Sequence, residues 1–346
     1  MELARHGYAN CTSCHISPSG GGVLTNYGRE LSKEVLSTWG RDGEQKFAYG
    51  LVDTPKDVLL GAFVRALQVH REDKQRVQGM GILMQADAEI AYNNQRFATV
   101  FSFGRQEIRK GLESESRAFS RRHYVLWRFS ETWAIRAGRF MKSYGLNDPN
   151  HNLFVRRDLN FSFDSETYNL ELSQAGPTSS FFLTYSDGLI LNKDWTTLKE
   201  RGVTSYYSWF LFNKAKLGFN AYHGESETSR RDVAGVWGLV PYKNFFWLTQ
   251  SDWQKTRTDG VSTKKEGYVT SNRISYEIKQ GVLPFLLVER KKLNRAQDLS
   301  EQESLGLGLQ WFPRPHWEIL AAAQRGRVVT SGDQSDLLWL MVHFYL

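Results

Sequence analysis

No stretch of this 346-residue chain approaches the roughly 20 consecutive apolar residues that a membrane-spanning helix needs. Its mean hydropathy of -0.47 agrees. That absence excludes a helical span and leaves a barrel open, because a spanning strand needs only about 10 residues with an apolar group at every second position. Cysteine is almost missing: the chain has two, Cys11 and Cys14. A disulfide across so short a loop is strained, so they serve another purpose. The chain also lacks a basic cluster. Its 44 Lys and Arg against 37 Asp and Glu give a net charge of +7, but they are scattered among alternating segments. The pattern suits a solvated surface or a polar lumen and argues against nucleic acid.

Aromatic residues, by contrast, are plentiful at 14%, with 11 Trp, 15 Tyr and 21 Phe, and read as interface girdles. Residues 1–57 differ from the rest. They hold both cysteines, a Ser17-Pro18-Ser19-Gly20-Gly21-Gly22 turn and one helical stretch with Leu31, Val35, Leu36 and Trp39 on a face. Thr25 or Asn26 is the candidate N-cap and Gly40 the stop. From residue 58 to 346 the period is two. Met80, Ile82, Met84, Ala86, Ala88 and Ile90 share an apolar, lipid-facing side against Gln85, Asp87 and Glu89. Leu170 and Leu172 alternate with Asn169 and Glu171, and Leu305, Leu307 and Leu309 with Gly306, Gly308 and Gln310.

Short turns, near Asn93-Asn94, Ser130-Glu131-Thr132, Gly176-Pro177, Asn213-Lys214, Tyr242-Lys243, Lys279-Gln280 and Pro313-Arg314-Pro315, take turns with longer loops. This rhythm predicts an all-β fold, an outer-membrane antiparallel β-barrel of about sixteen strands, preceded by a short N-terminal segment containing one helix. The chain ends in the alternating run Leu340 to Leu346 and resembles bacterial outer-membrane proteins, whose final strand commonly closes on an aromatic or apolar residue.

Cys11-Thr12-Ser13-Cys14-His15 is a C-x-x-C-H run, the attachment signal for one covalently bound c-type haem. Both thiols add across the haem vinyl groups and His15 becomes an axial ligand. A thioredoxin-like pair needs a βαβ context, and a zinc site needs two more ligands close by; the sequence offers neither. The candidates for a second axial ligand are His6, shortly before Cys11, and His151, in the long loop between the fifth and sixth strands. Fewer than sixty residues rarely bury enough surface alone. The segment is therefore expected to plug the lumen or the periplasmic mouth and use barrel side chains as a second wall.

A single N-terminal C-x-x-C-H followed by a barrel of about sixteen strands resembles the fused outer-membrane monohaem cytochrome c–porin family of iron-oxidising bacteria. The resemblance implies electron transfer between an extracellular donor, ferrous iron being the candidate, and periplasmic cytochromes or other carriers. It implies outer-membrane lipid as a partner. Residue by residue, only Cys11, Cys14 and His15 carry over. An enzyme label fits only as ferrous-iron oxidation, since no hydrolytic or transferase site is seen. Haem attachment and outer-membrane insertion both require export, so the sequence is read as a mature form with its leader removed. The competing reading is a diffusion porin, anion-preferring through Arg65, Arg96, Arg122, Arg128 and Arg136, with the haem segment as a gate or tethered acceptor. A peroxidase-like enzyme is a third reading, without a distal acid-base set to carry it.

Overall fold

A computed structural model describes residues 3, 6, 8, 11–110, 113–148, 150, 152–161, 165–188, 200–211, 215–261 and 264–346, with the backbone only for 106–110 and 113–117. The period-two region forms strands β1 (Val58–Asp73), β2 (Val77–Asn93), β3 (Phe97–Lys110), β4 (Glu113–Phe119), β5 (His123–Arg128), β6 (Trp133–Phe140), β7 (Thr167–Ala175), β8 (Ser179–Ser186) and β9 (Arg201–Leu211). It continues with β10 (Ala215–Glu225), β11 (Ser229–Tyr242), β12 (Phe245–Thr258), β13 (Lys265–Tyr276), β14 (Val282–Lys292), β15 (Glu301–Trp311), β16 (Trp317–Val328) and β17 (Gln334–Tyr345).

Neighbouring strands pair antiparallel, and β1 closes on β17 with Phe63 opposite Tyr345 and Asp73 opposite Ser335. β4 and β5 both pair with β3, Gly104 facing Phe119 and Phe101 facing His123, so they are two halves of one strand. Among the described residues the barrel therefore has sixteen strands, the number expected from the turn rhythm. Closure removes every unpaired sheet edge, which is what permits a sheet inside lipid.

Side-chain alternation sorts the strands into two surfaces. Phe101, Phe103, Leu170, Phe219, Leu305 and Leu307 face outward and are exposed, forming an apolar belt. Ser102, Asn169, Glu171 and Asn220 face inward and are buried. One expectation fails on β2. The register with β1 shifts between Arg65 and Ala66, and the resulting bulge reverses which side each residue faces. Above it Leu83 is exposed, while Ile82 and Met84 pack against an inner cluster instead of facing lipid.

The lumen also departs from the polar channel expected. Leu67, Val233, Val269, Phe285, Leu287 and Trp339 point inward and pack against Leu153, Phe154, Val155 and Phe161 of the connection between β6 and β7. That connection, residues 141–166, is the long loop placed by the sequence between the fifth and sixth strands. It crosses to the far wall. Tyr144 Oη donates to Asp252 at 2.7 Å, and the Leu146 and Phe154 amides donate to Gln250 and Glu289, each at 2.8 Å.

The N-terminal helix is shorter than its spacing suggests. α1 (Asn26–Leu31) is capped by Thr25, widens into a π turn over Ser32–Leu36, and gives way to extended backbone at Ser37. Trp39 and Gly40 therefore lie beyond it. Competition explains the early stop, because the amides of Thr38 and Trp39 donate instead to the carbonyls of Phe312 and Pro313.

Candidate haem-binding site

The turn that carries the thiols is built by its own backbone. The amides of Cys14 and His15 both donate to the Cys11 carbonyl, at 3.2 and 2.9 Å. Thr25 locks the other side. Its amide donates to the Cys14 carbonyl and its hydroxyl to the Ser13 carbonyl, each at 2.9 Å, while the same hydroxyl accepts from the Gly28 amide. The cap satisfies an orphan donor of α1 and ties the helix start to the motif. Gly28 lets the helix lie on the turn, since a Cβ there would stand 2.5 Å from the Cys14 carbonyl oxygen.

After His15 the chain reverses through Gly20, Gly21 and Gly22, with φ of +83°, +75° and +70°. Three successive left-handed residues are open in practice only to glycine. The reversal delivers Val23 to β2, where its amide donates to Glu89 Oε2 at 3.0 Å, and Glu89 is paired with Arg122 at 3.1 Å. Arg136 on β6 donates to Ser17 Oγ and Ser19 Oγ at 2.8 and 3.2 Å and pairs with Glu171 at 2.6 Å. From the opposite side Asn147 of the long loop donates to the Ser19 carbonyl at 2.9 Å. Ile16 and Val23 complete the seat by packing with Leu59, Val100, Leu126 and Phe140 of the barrel wall.

Cys11, Cys14 and His15 open together on a cavity of about 380 Å³ inside the barrel, walled in part by Phe140, Phe182, Tyr206, Trp237 and Leu239. Ligand cavities commonly span about 300–1,000 Å³ and are mostly apolar. Both thiols are free rather than joined. Burial, and then the neighbouring Cys11, pushes the Cys14 thiol up to about 11, whereas redox C-x-x-C pairs work with a lowered thiol. Burial also brings the His15 imidazole down to about 4, so it is neutral at pH 7, the ligating form. Its Nδ1 is buried without a hydrogen-bond partner among the described residues. No group of three or more His, Cys, Asp or Glu among the described residues has the geometry of a metal-ion site, which leaves zinc without its remaining ligands. Two thiols and one imidazole on a single turn against an apolar cavity fit a haem held by two thioethers.

The two proposed second ligands fall elsewhere. His6 is exposed, and His151 lies outside the described residues. Of the arginines considered for anion preference, Arg65, Arg122 and Arg136 line this cavity, and Arg96 and Arg128 do not. Arg122 and Arg136 are paired with carboxylates, Arg96 is exposed beside a short turn, and Arg128 donates to Asn93 and Asn94 of that turn.

Below the cavity, residues 34–49 sit across the end of the barrel that carries the short turns, the periplasmic end by the usual asymmetry. Gln280 donates to the Glu34 and Ser37 carbonyls, Arg314 pairs with Glu44 at 3.0 Å, and His316 Nε2 donates to the Glu44 carbonyl at 2.7 Å. A chain of rings links cavity and mouth. His343, which lines the cavity, lies 5.1 Å from Tyr345, Tyr345 6.0 Å from His316, and His316 5.4 Å from the exposed Tyr49.

No family model and no curated protein sequence matches this chain. Solved structures do. OmpT, an outer-membrane protein of Vibrio cholerae, superposes with a TM-score of 0.64 at 8% identity over 86% of this chain and 100% of its own. The outer-membrane channel DcaP of Acinetobacter baumannii gives 0.61 at 10% identity, covering 85% and 99%. An anion-selective porin from Comamonas acidovorans gives 0.61 at 9%, covering 84% and 99%. This is the fold of an outer-membrane porin. That fold and the apolar outer belt place the chain in the bacterial outer membrane.

One group in the long loop carries a stability prediction. Lys142 is buried, its ammonium over the rings of Phe161 and Tyr222 at 5.9 and 5.2 Å. Burial, then the Arg231 charge, pushes it down from 10.5 to about 8. A lowered lysine opposes folding fully below pH 8, where both states are protonated, and that cost fades as pH rises from 8 towards 10.5. Lys142→Met is expected to stabilise the barrel at pH 7 by about 3 kcal/mol and to remove the gain on raising pH to 10. Heat-modifiability on gels at the two pH values reads both; a less stable variant refutes it.

Proposed function

We propose that this chain is an outer-membrane electron-transfer protein that holds one haem c on Cys11, Cys14 and His15. It connects an extracellular donor, ferrous iron being the candidate, to periplasmic electron carriers. The observation that carries the reading is the position of the C-x-x-C-H turn, facing an apolar cavity within the barrel. Bound there, the haem supplies a one-electron centre whose potential is set by its ligands and burial. The chain's own residues do the rest. Thr25, Gly28 and the Gly20-Gly21-Gly22 reversal hold the turn, and the wall rings and the long loop keep water from it. One electron leaves each ferrous ion outside and one reduces a periplasmic carrier, with the rings from His343 to Tyr49 leading from cavity to periplasmic mouth.

The second reading is a diffusion channel in which residues 1–57 act as a gate. The likeness to a channel and to an anion-selective porin favours it. The inward apolar packing of Leu67, Val233, Val269, Phe285, Leu287 and Trp339 argues the other way, because a water-filled porin lumen is polar. Reconstitution separates the two. Planar bilayers are expected to show no steady conductance, and proteoliposomes are expected to reduce an enclosed acceptor when ferrous iron is added outside. A conducting pore with no such reduction establishes the channel instead.

A further inference from the structure

Resting on the haem reading, we infer that His343 of β17 is the second axial ligand. It lies at the opposite end of the sequence from Cys11 and yet lines the same cavity. Trp339, Met341 and His343 take the inward positions of this strand while Leu338 and Leu340 face lipid. His343 is 7% exposed, more than nine-tenths buried.

Its two ring nitrogens are differentiated. Nδ1 lies 3.0 Å from Glu318 Oε2, and since a carboxylate only accepts, Nδ1 carries the proton. Nε2 is then the lone-pair nitrogen, and it is buried without a hydrogen-bond partner among the described residues. A carboxylate behind one nitrogen and a bare second nitrogen is the arrangement by which proteins prepare histidine for a metal. Glu318 is itself oriented, because its Oε1 accepts from Gln310 Nε2 at 2.6 Å, and Gln310 Oε1 accepts from Arg273. Phe63 stacks beside the His343 ring with centroids 6.5 Å apart, which limits its rotation.

The thioether and the two ammonium groups along the cavity have neighbours of their own. Met141 Sδ accepts from Arg156 Nη2 at 3.2 Å. Lys142 faces Phe161 and Tyr222, and Lys216 lies over the Trp237 ring at 5.8 Å. An unsatisfied buried nitrogen is costly, and coordination is the interaction here that removes the cost.

The test uses full-length protein exported with haem-maturation machinery. Mass spectrometry and the pyridine haemochrome first establish covalent haem; a wild-type protein without it fails the haem reading and this inference together. With haem attached, electron paramagnetic resonance and near-infrared magnetic circular dichroism of the oxidised wild type are expected to show a low-spin, bis-imidazole iron. His343→Ala is expected to become high-spin and to return to low spin on addition of imidazole. Met141→Leu is expected to keep the wild-type spectrum. His343→Met is expected to raise the midpoint potential, as thioether ligation does. A wild type that is high-spin or His/Met ligated, or a His343→Ala protein that keeps the bis-imidazole signature, overturns the assignment while leaving the haem reading intact. A high-spin or His/Met-ligated wild-type spectrum overturns the assignment even if the variants fail to fold.

Discussion

Cells exporting the Cys11→Ser, Cys14→Ser double variant are expected to assemble a barrel that carries no covalent haem and passes no electrons from external ferrous iron. The loss should be complete, because the two thioethers are the whole covalent attachment. The barrel should survive. Its closure rests on sixteen strand pairings, of which the β1–β17 contact alone runs from Phe63 to Asp73, and none depends on the N-terminal thiols. Haem staining, heat-modifiability and reduction of an enclosed acceptor measure the three quantities separately. A double variant that retains covalent haem refutes the attachment, and one that still reduces the acceptor at the wild-type rate refutes the redox function. His15→Ala, by contrast, keeps both thiols and is expected to give covalently bound haem with an altered spin state.

The second large effect concerns how the N-terminal segment is held. Arg136 is 1% exposed and serves two partners, donating to Ser17 and Ser19 of the segment and pairing with Glu171 of the wall, over the Phe140 ring at 3.7 Å. Arg136→Met leaves Glu171 buried with only the hydroxyls of Ser143 and Thr184, at 2.9 and 2.8 Å. Removing one member of a buried ion pair costs about 3–5 kcal/mol. The hydroxyls place this case near the lower end. The loss should appear first as a loosened segment, cut by added protease at the Ser17 to Gly22 stretch, while the strands stay protected. Arg136→Met with Glu171→Gln is expected to recover most of the stability, since the uncompensated charge is then gone. Equal protease resistance in wild type and Arg136→Met would show that Arg136 does not hold the segment.

The strands were readable because their signal is local. Leu170 against Asn169 and Leu305 against Gly306 differ in polarity at adjacent positions, and lipid on one side of a closed sheet enforces that difference along the whole strand. The loop between Phe140 and Thr167 was readable as long, while its seat on Asp252, Gln250 and Glu289 of the far wall came only from the structure. Ile82 and Met84 were misread because a bulge changes phase without leaving a mark in composition. The helix end was misread for a different reason. Thr38 and Trp39 bond to Phe312 and Pro313, which are distant in sequence and carry no local trace of the competition.

The cofactor signal was equally local, three residues in a five-residue run. Its surroundings were not. His343 reads as one more alternating position in a terminal strand, and only barrel closure brings it, Glu318 and Gln310 beside the cavity that Cys11 and His15 face. The sequence by itself determined a membrane barrel of about sixteen strands and a thiol–thiol–imidazole motif, because alternation and motif spacing are properties of neighbours along the chain. The tertiary structure decided what fills the lumen and which ring faces the motif, because those contacts join strands, loop and N-terminal segment whose separation along the chain leaves no periodic signature.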